Sequence, residues 1–205
     1  MASSTADIAA AVGLYQAFSR RGSDPRDVVR AALAVEPTDG VLFGGIVLFD
    51  HGHGAVLESW GDPPPLEVVA VQVGGPVDTV AFNARDLRKT ARHHTRSILT
   101  ALALIREGLA THSPSLIGHG ATLSALCHQD VLPKPALEPL LKLALQEGGH
   151  GVNVAHSGSL VGLLFSPGRY DFARVFHRIA EIVPLPAPVW RLRIRGGGIE
   201  TMRAA

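Results

Sequence analysis

The chain has one cysteine, few aromatic residues and almost no net charge. Cys127 stands alone, which excludes an internal disulfide and any zinc site built on cysteine pairs. A reducing, cytoplasmic setting is the expectation. Aromatics make up 5% of the 205 residues, so a core must come mostly from Leu, Val, Ile and Ala. A formal charge of +1 exerts no strong pull on nucleic acid or acidic lipid, and neither is expected as a partner. No apolar run is long enough to cross a bilayer, and no basic-then-apolar opening marks a secretory signal. The glycine clusters Gly74-Gly75 and Gly196-Gly197-Gly198 lack the surroundings of a dinucleotide or Walker fingerprint.

What is present is a hydrophobic content of 46%, enough for a core, in a length that suits one large domain or two small ones. Ser4-Thr5-Ala6-Asp7 fits a capping residue followed by an acid, and Ile8, Val12, Tyr15 and Phe18 recur near helical spacing. A first helix to Arg21 is predicted, stopped by Gly22. Asp24-Pro25 predicts a second helix to about Val35. Strands are predicted over Val41–Phe49, Ala55–Trp60 and Leu66–Val73, the first two joined by the turn Asp50-His51-Gly52-His53-Gly54. Helices follow over Arg85–His112, Ser115–His128 and Pro135–Gln146. Two strands then flank His156-Ser157-Gly158-Ser159, a helix covers Tyr170–Ile182, and Val189–Ile194 alternates apolar and basic residues as an edge strand would. The change from strands to helices puts a domain boundary near Asn83.

Four groups of residues carry candidate chemistry. Ser3, Ser4 and Thr5 open a helix, whose free N–H groups and dipole favour a phosphate; the competing reading is a plain cap. Asp39 sits in a Pro-containing turn, where a carboxylate can orient or deprotonate a hydroxyl, or simply close an Asx-turn. The loop 156–159 offers His and Ser donors beside a glycine that permits close approach, or is only a hairpin turn. The pairs His51/His53 and His93-His94 lack acidic partners at helical spacing and read as turn and helix surface.

"MASSTADIAAA" resembles the second motif of the GHMP kinases, whose usual form is Gly-Leu-Gly-Ser-Ser-Ala. It is most similar to the variant in the propanediol-utilisation-type L-threonine kinases of cobalamin synthesis. "EPTDGVLFGGIVLFDH", "VDTVAFN", "LPKPALEPLL" and "GVNVAHSGSLVGLLF" resemble the same group, so the resemblance runs from residue 1 to about 195. It implies an α+β GHMP kinase fold, with a partial ribosomal-S5-like first domain over 1–83 and a ferredoxin-like second domain over 84–205. It implies ATP and Mg2+ as cofactors, with Ala2, Ser3, Ser4 and Thr5 at the phosphates and Ser4 on the metal. It implies Asp39 as the catalytic residue facing the acceptor hydroxyl. Gly151, His156, Ser157, Gly158 and Ser159 fall at the third, glycine-rich motif and are expected to border the substrate. There Gly158 and Gly162 remain, while polar residues replace other glycines.

The implied activity is ATP-dependent phosphorylation of a small hydroxyl compound, L-threonine above others, for the cobalamin side chain. The resemblance places the first residue inside the second motif, so an N-terminally truncated chain is expected. The rival reading is an inactive remnant serving as a binding or regulatory module. An exposed sheet edge over residues 41–73 is expected to drive self-association.

Overall fold

The computed structural model describes residues 3–18, 24–34, 38–75, 77, 82, 88–155, 158–184 and 186–198. Its contacts divide the chain into two compact units, Met1–Pro63 with Arg195–Ala205, and Pro64–Ile194.

The first unit contains α1 (Ser3–Phe18), α2 (Pro25–Leu33), a 3-10 turn (Gly40–Leu42), β1 (Val47–Asp50) and β2 (Ala55–Ser59). Asp24 caps α2, its side chain accepting from the Arg26 N–H at 2.9 Å, and Pro25 opens the helix. Val28 and Val29 bury against Leu42, and Ile8, Ala9 and Val12 of α1 pack on that cluster with Phe43 and Phe49. β1 and β2 pair antiparallel from Val47↔Ser59 to Asp50↔Ala55. Their turn is held by Asp50, which accepts from the N–H groups of Gly52 and His53 and meets His53 Nδ1 at 2.8 Å. Those bonds, the His53 backbone bond first, hold the Asp50 carboxyl below its usual range.

The strand expected over 41–49 is confined to 47–50. Residues 40–42 wind into the 3-10 turn, closed by the Phe43 N–H on the Gly40 carbonyl. The Gly45 and Val41 carbonyls accept from the N–H groups of Gly197 and Gly198 at 2.8 and 2.9 Å. A distant segment thus uses the backbone groups that a longer β1 would need.

The second unit contains β3 (Glu67–Gln72), α3 (Arg88–Ala110), α4 (Pro114–Cys127), α5 (Leu137–Gln146), β4 (Gly151–Val154), β5 (Leu160–Phe165), α6 (Phe172–Ile182) and β6 (Val189–Arg193). Its four strands pair antiparallel in the order β4-β5-β3-β6. This is the ferredoxin-like βαββαβ arrangement with additional helices in its first crossover, as expected for the second domain. Its first strand is β3, which lies ahead of the boundary expected near Asn83. β3 is paired along both edges, with β5 and with β6, so the edge expected across 41–73 does not include it. Among the described residues, the large apolar side chains exposed in the first unit are instead Leu14, Tyr15, Phe18, Val41, Val56 and Leu57.

The core of the second unit joins Val69 and Val71 of β3 and Val161, Leu163 and Phe165 of β5 to α5 and α6. Glu67 is on the same side of β3 as Val69 and Val71 and is only 1% exposed. Its Oε2 accepts from Tyr170 Oη and Arg191 Nε, both at 2.9 Å, and Arg193 Nε lies 3.5 Å from Oε1. Burial pushes this carboxyl up, but the hydrogen bonds from Arg191 and Tyr170 outweigh it and hold Glu67 below the usual range.

Helices α3 and α4 form a tight hairpin. His112, with φ 52°, ends α3, the Ser113 N–H reaching the Gly108 carbonyl at 2.8 Å in a Schellman motif. Ser113 then caps α4 and Pro114 opens it. Thr122 Oγ1 accepts from the Val152 N–H at 3.0 Å, tying α4 to β4. Gly118 makes that approach possible: a Cβ there would stand 2.2 Å from the His150 carbonyl oxygen. No described helix is long and apolar enough to cross a membrane.

Two predictions follow from this packing. Gly118→Ala should lower unfolding free energy by about 3 kcal/mol, because backbone must move, whereas Gly13→Ala, with nothing within 4 Å, should raise it by about 0.5–1 kcal/mol. Urea titration of the three proteins measures both. For Glu67, the lowered folded pKa means its stabilisation is complete above the unfolded value of 4.5 and is lost as pH falls through the folded value. Melting temperature should therefore fall more steeply for wild type than for Glu67→Gln below about pH 5, the two converging in stronger acid.

Candidate active site

The first unit carries Asp39 and the start of α1. Thr38, just before Asp39, is 2% exposed, and its N–H reaches the His51 carbonyl at 3.3 Å. Gly40, just after it, packs so closely that a Cβ would stand 2.8 Å from Phe49 Cβ and Val47 Cγ2. The turn is thus pinned to the β1–β2 hairpin on both sides of Asp39. Asp39 itself is exposed, with extended backbone (φ −98°, ψ 156°), and its side chain makes no cap hydrogen bond to the 3-10 turn. Its carboxylate is therefore presented outward from a fixed backbone and is not spent on closing the turn.

Helix α1 begins at Ser3, so Ser3, Ser4 and Thr5 all lie in its first turn, and no acidic residue shares that turn. Ser4 is therefore inside the helix and not its cap. Ala2 lies outside the described residues.

The second unit carries the third-motif loop. β4 and β5 pair from Gly151↔Leu164 to Val154↔Val161, and the loop between them is the expected hairpin connection. His156 and Ser157 lie outside the described residues. The Gly158 N–H closes the loop on the Ala155 carbonyl at 3.1 Å. The Ser159 carbonyl accepts from the Val73 N–H at 2.7 Å, and the Gly74 Cα has Ser159 Cβ on the side where its own Cβ would project. The end of β3, at Val73-Gly74, therefore belongs beside this loop. Gly74-Gly75 carries no fingerprint in the sequence; the pairing of β3 with β5 places Gly74 here. Gly151 adopts φ 140° and faces Thr122 and Gly118, so its role is to let α4 approach β4.

Lys134, within the "LPKPALEPLL" stretch, was not singled out from sequence. It is 6% exposed, its Nζ donates to the Leu132 carbonyl at 3.2 Å, and burial lowers its pKa. Among the described residues no carboxylate pairs with it. The first unit also holds an open cleft of about 740 Å3 between α2 and the β1–β2 hairpin, lined by Arg26, Arg30, Phe43, His53 and Ser59. Asp39 does not line it.

Residues 105–180 match the family described as GHMP kinases C terminal. An L-threonine kinase of Salmonella typhimurium is 34% identical over 181 residues, 88% of this chain and 60% of that protein. One of Citrobacter freundii is 32% identical over 171 residues, 83% and 59% respectively. The chain thus spans about three fifths of the length of these curated relatives. The structure of L. major mevalonate kinase in complex with R-mevalonate superposes with a TM-score of 0.72 at 14% identity, over 96% of this chain and 66% of that one. MDDEF, solved with MVAPP, AMPPCP and magnesium, gives 0.66 at 15% identity, over 100% and 68%. The fold is that of the GHMP kinases.

If Asp39 is free of structural duty, Asp39→Ala should leave unfolding free energy within about 0.5 kcal/mol of wild type. A turn-closing aspartate would instead cost about 1 kcal/mol; thermal and urea denaturation distinguish the two.

Proposed function

We propose that this chain, whose residues 105–180 carry a GHMP kinase C-terminal domain, acts in ATP-dependent phosphorylation of a small hydroxyl compound, L-threonine first. The observation that carries the reading is Asp39: an exposed carboxylate on a turn pinned to the β1–β2 hairpin, at the motif position where the family's aspartate faces the acceptor. The L-threonine kinase relatives support the acceptor, and use of the product in cobalamin side-chain synthesis follows the same resemblance.

The start of α1 fits a triphosphate. Its first turn has free N–H groups and hydroxyl-bearing residues, with no acid to repel an anion. Ala2, Ser3, Ser4 and Thr5 would hold ATP there, with Ser4 on Mg2+; a neighbour of the same fold solved with AMPPCP and magnesium supports ATP and magnesium as the cofactors. When bound, the pair supplies the phosphoryl group and neutralises its charge. Asp39 accepts a hydrogen bond from the acceptor hydroxyl, aims the oxygen, and takes its proton on a carboxylate oxygen. The fixed backbone around Asp39 keeps that carboxylate in place, which is most of what positioning requires. In the second unit, His156, Ser157, Gly158 and Ser159 are the residues proposed to bind substrate.

Initial rates of L-threonine-dependent ADP release, with ATP affinity measured in parallel, test it. Asp39→Asn should leave ATP affinity nearly unchanged and lower turnover by about 10²–10⁴-fold. Ser4→Ala should weaken nucleotide affinity and turnover together. Full turnover in Asp39→Asn removes the catalytic role. Wild-type protein that binds nucleotide but phosphorylates no hydroxyl compound replaces the kinase reading with that of a binding module.

A further inference from the structure

We propose that His93, His94 and Asp130 form a binding site for a divalent transition-metal ion, zinc foremost, separate from the residues assigned to phosphoryl transfer. The two histidines are consecutive on α3. Asp130 closes the 3-10 turn His128–Asp130 that follows α4. The packing of α3 against α4 brings the three together across a separation of 36 residues, His94 Nε2 meeting Asp130 Oδ2 at 2.7 Å. One donor atom from each residue lies within 4.8 Å of the other two. The two imidazole rings stand edge to face, centroids 4.8 Å apart and planes at 77°.

The donor set and its fit both favour this ion class. Bonds of about 2.0–2.2 Å to a tetrahedral zinc place its ligand atoms about 3.3–3.5 Å apart. The trio reaches that spacing by small rotations of His93 and Asp130, both exposed, about His94, whose side chain is only 18% exposed. The ion takes the place of the direct contact between His94 Nε2 and Asp130 Oδ2. Two imidazoles and one carboxylate suit zinc, cobalt or nickel and disfavour magnesium, which prefers an all-oxygen shell. His94 also lines a cavity of about 220 Å3 with Thr90, Ser124, Cys127 and His128. That space accommodates a water or an added donor as the fourth ligand. A bound ion clips α3 to the turn after α4 and stabilises the second unit by mass action.

Protein stripped with chelator and titrated calorimetrically with zinc, with cobalt, and with magnesium as control tests the assignment. The expected result is one zinc per chain, visible absorption bands from the cobalt form, no comparable magnesium binding, and a melting temperature raised by roughly 5 °C in excess zinc. His94→Ala, Asp130→Ala and, at an exposed position, His93→Ala should each weaken zinc binding by at least about tenfold. His93→Ala keeps the test decisive should His94→Ala fail to fold. Zinc binding that survives all three substitutions, or that is lost on replacing His51 and His53 instead, overturns the proposal, as does absence of stoichiometric binding to wild type.

Discussion

Strand β3 is paired on both edges, and the second unit is organised around that fact. Its ladders with β5 and β6 run the length of the strand, Glu67↔Phe165 to Gln72↔Leu160 on one side and Glu67↔Arg193 to Val71↔Val189 on the other. A central strand buries one face completely, so its residues on that side must be apolar or fully paired. Val69 and Val71 meet the first condition and Glu67 the second. The Glu67 cluster also ties the sheet to its surroundings. Arg191 lies over the rings of Tyr170 and Phe172, and Tyr170 stacks on Phe165 with centroids 4.1 Å apart. One buried carboxylate thereby joins β3, β6 and the start of α6, and a register slip on either side would strand it unpaired.

The same central position sets the chemistry at the end of the strand. As β3 lies beside β5, its terminus at Val73-Gly74 comes against Ser159, in the loop that resembles the third GHMP motif. On the other side of the sheet's first crossover, small residues let helices approach backbone closely. Gly120 faces the Ala101 carbonyl, and Gly118 the His150 carbonyl. That close hairpin of α3 and α4 is also what carries Asp130 to His94.

In the first unit the organising feature is smaller. Val28, Val29 and Leu42 form the buried centre, with α1 laid on it. The turn holding Asp39 is fixed by Thr38 and Gly40, both bound to the β1–β2 hairpin. A carboxylate is held in place by such backbone supports even where it makes no contacts of its own. The apolar side chains left exposed on α1, Leu14, Tyr15 and Phe18, show that this unit's packing covers only one side of the helix.

Local chemistry was readable directly. Asp24-Pro25 starts a helix because a side-chain oxygen and a fixed φ satisfy the first turn without help from distant residues. Asp50-His51-Gly52-His53-Gly54 makes its hairpin for the same reason, and the alternation over 189–194 reads as the edge strand that β6 is. The motifs at Ser3–Thr5, Asp39 and 151–165 were likewise legible as patterns. Choice of partner was not. Whether β3 belongs with the strands before it or after it depends on hydrogen bonds made across nearly a hundred residues, and only the folded sheet decides. Val41–Gly45 had strand composition, yet its carbonyls are taken by Gly197 and Gly198. Glu67 gave no local sign of burial, because its counter-charges come from β6. His93-His94 seemed to lack an acidic partner, because Asp130 is supplied by the turn after the next helix. Sequence alone determined the start of α2 and the turn between β1 and β2, and it set the candidate motifs, since caps, turns and motifs act over a few residues. Tertiary structure alone decided which of those residues meet, since burial and pairing are properties of segments far apart in the chain.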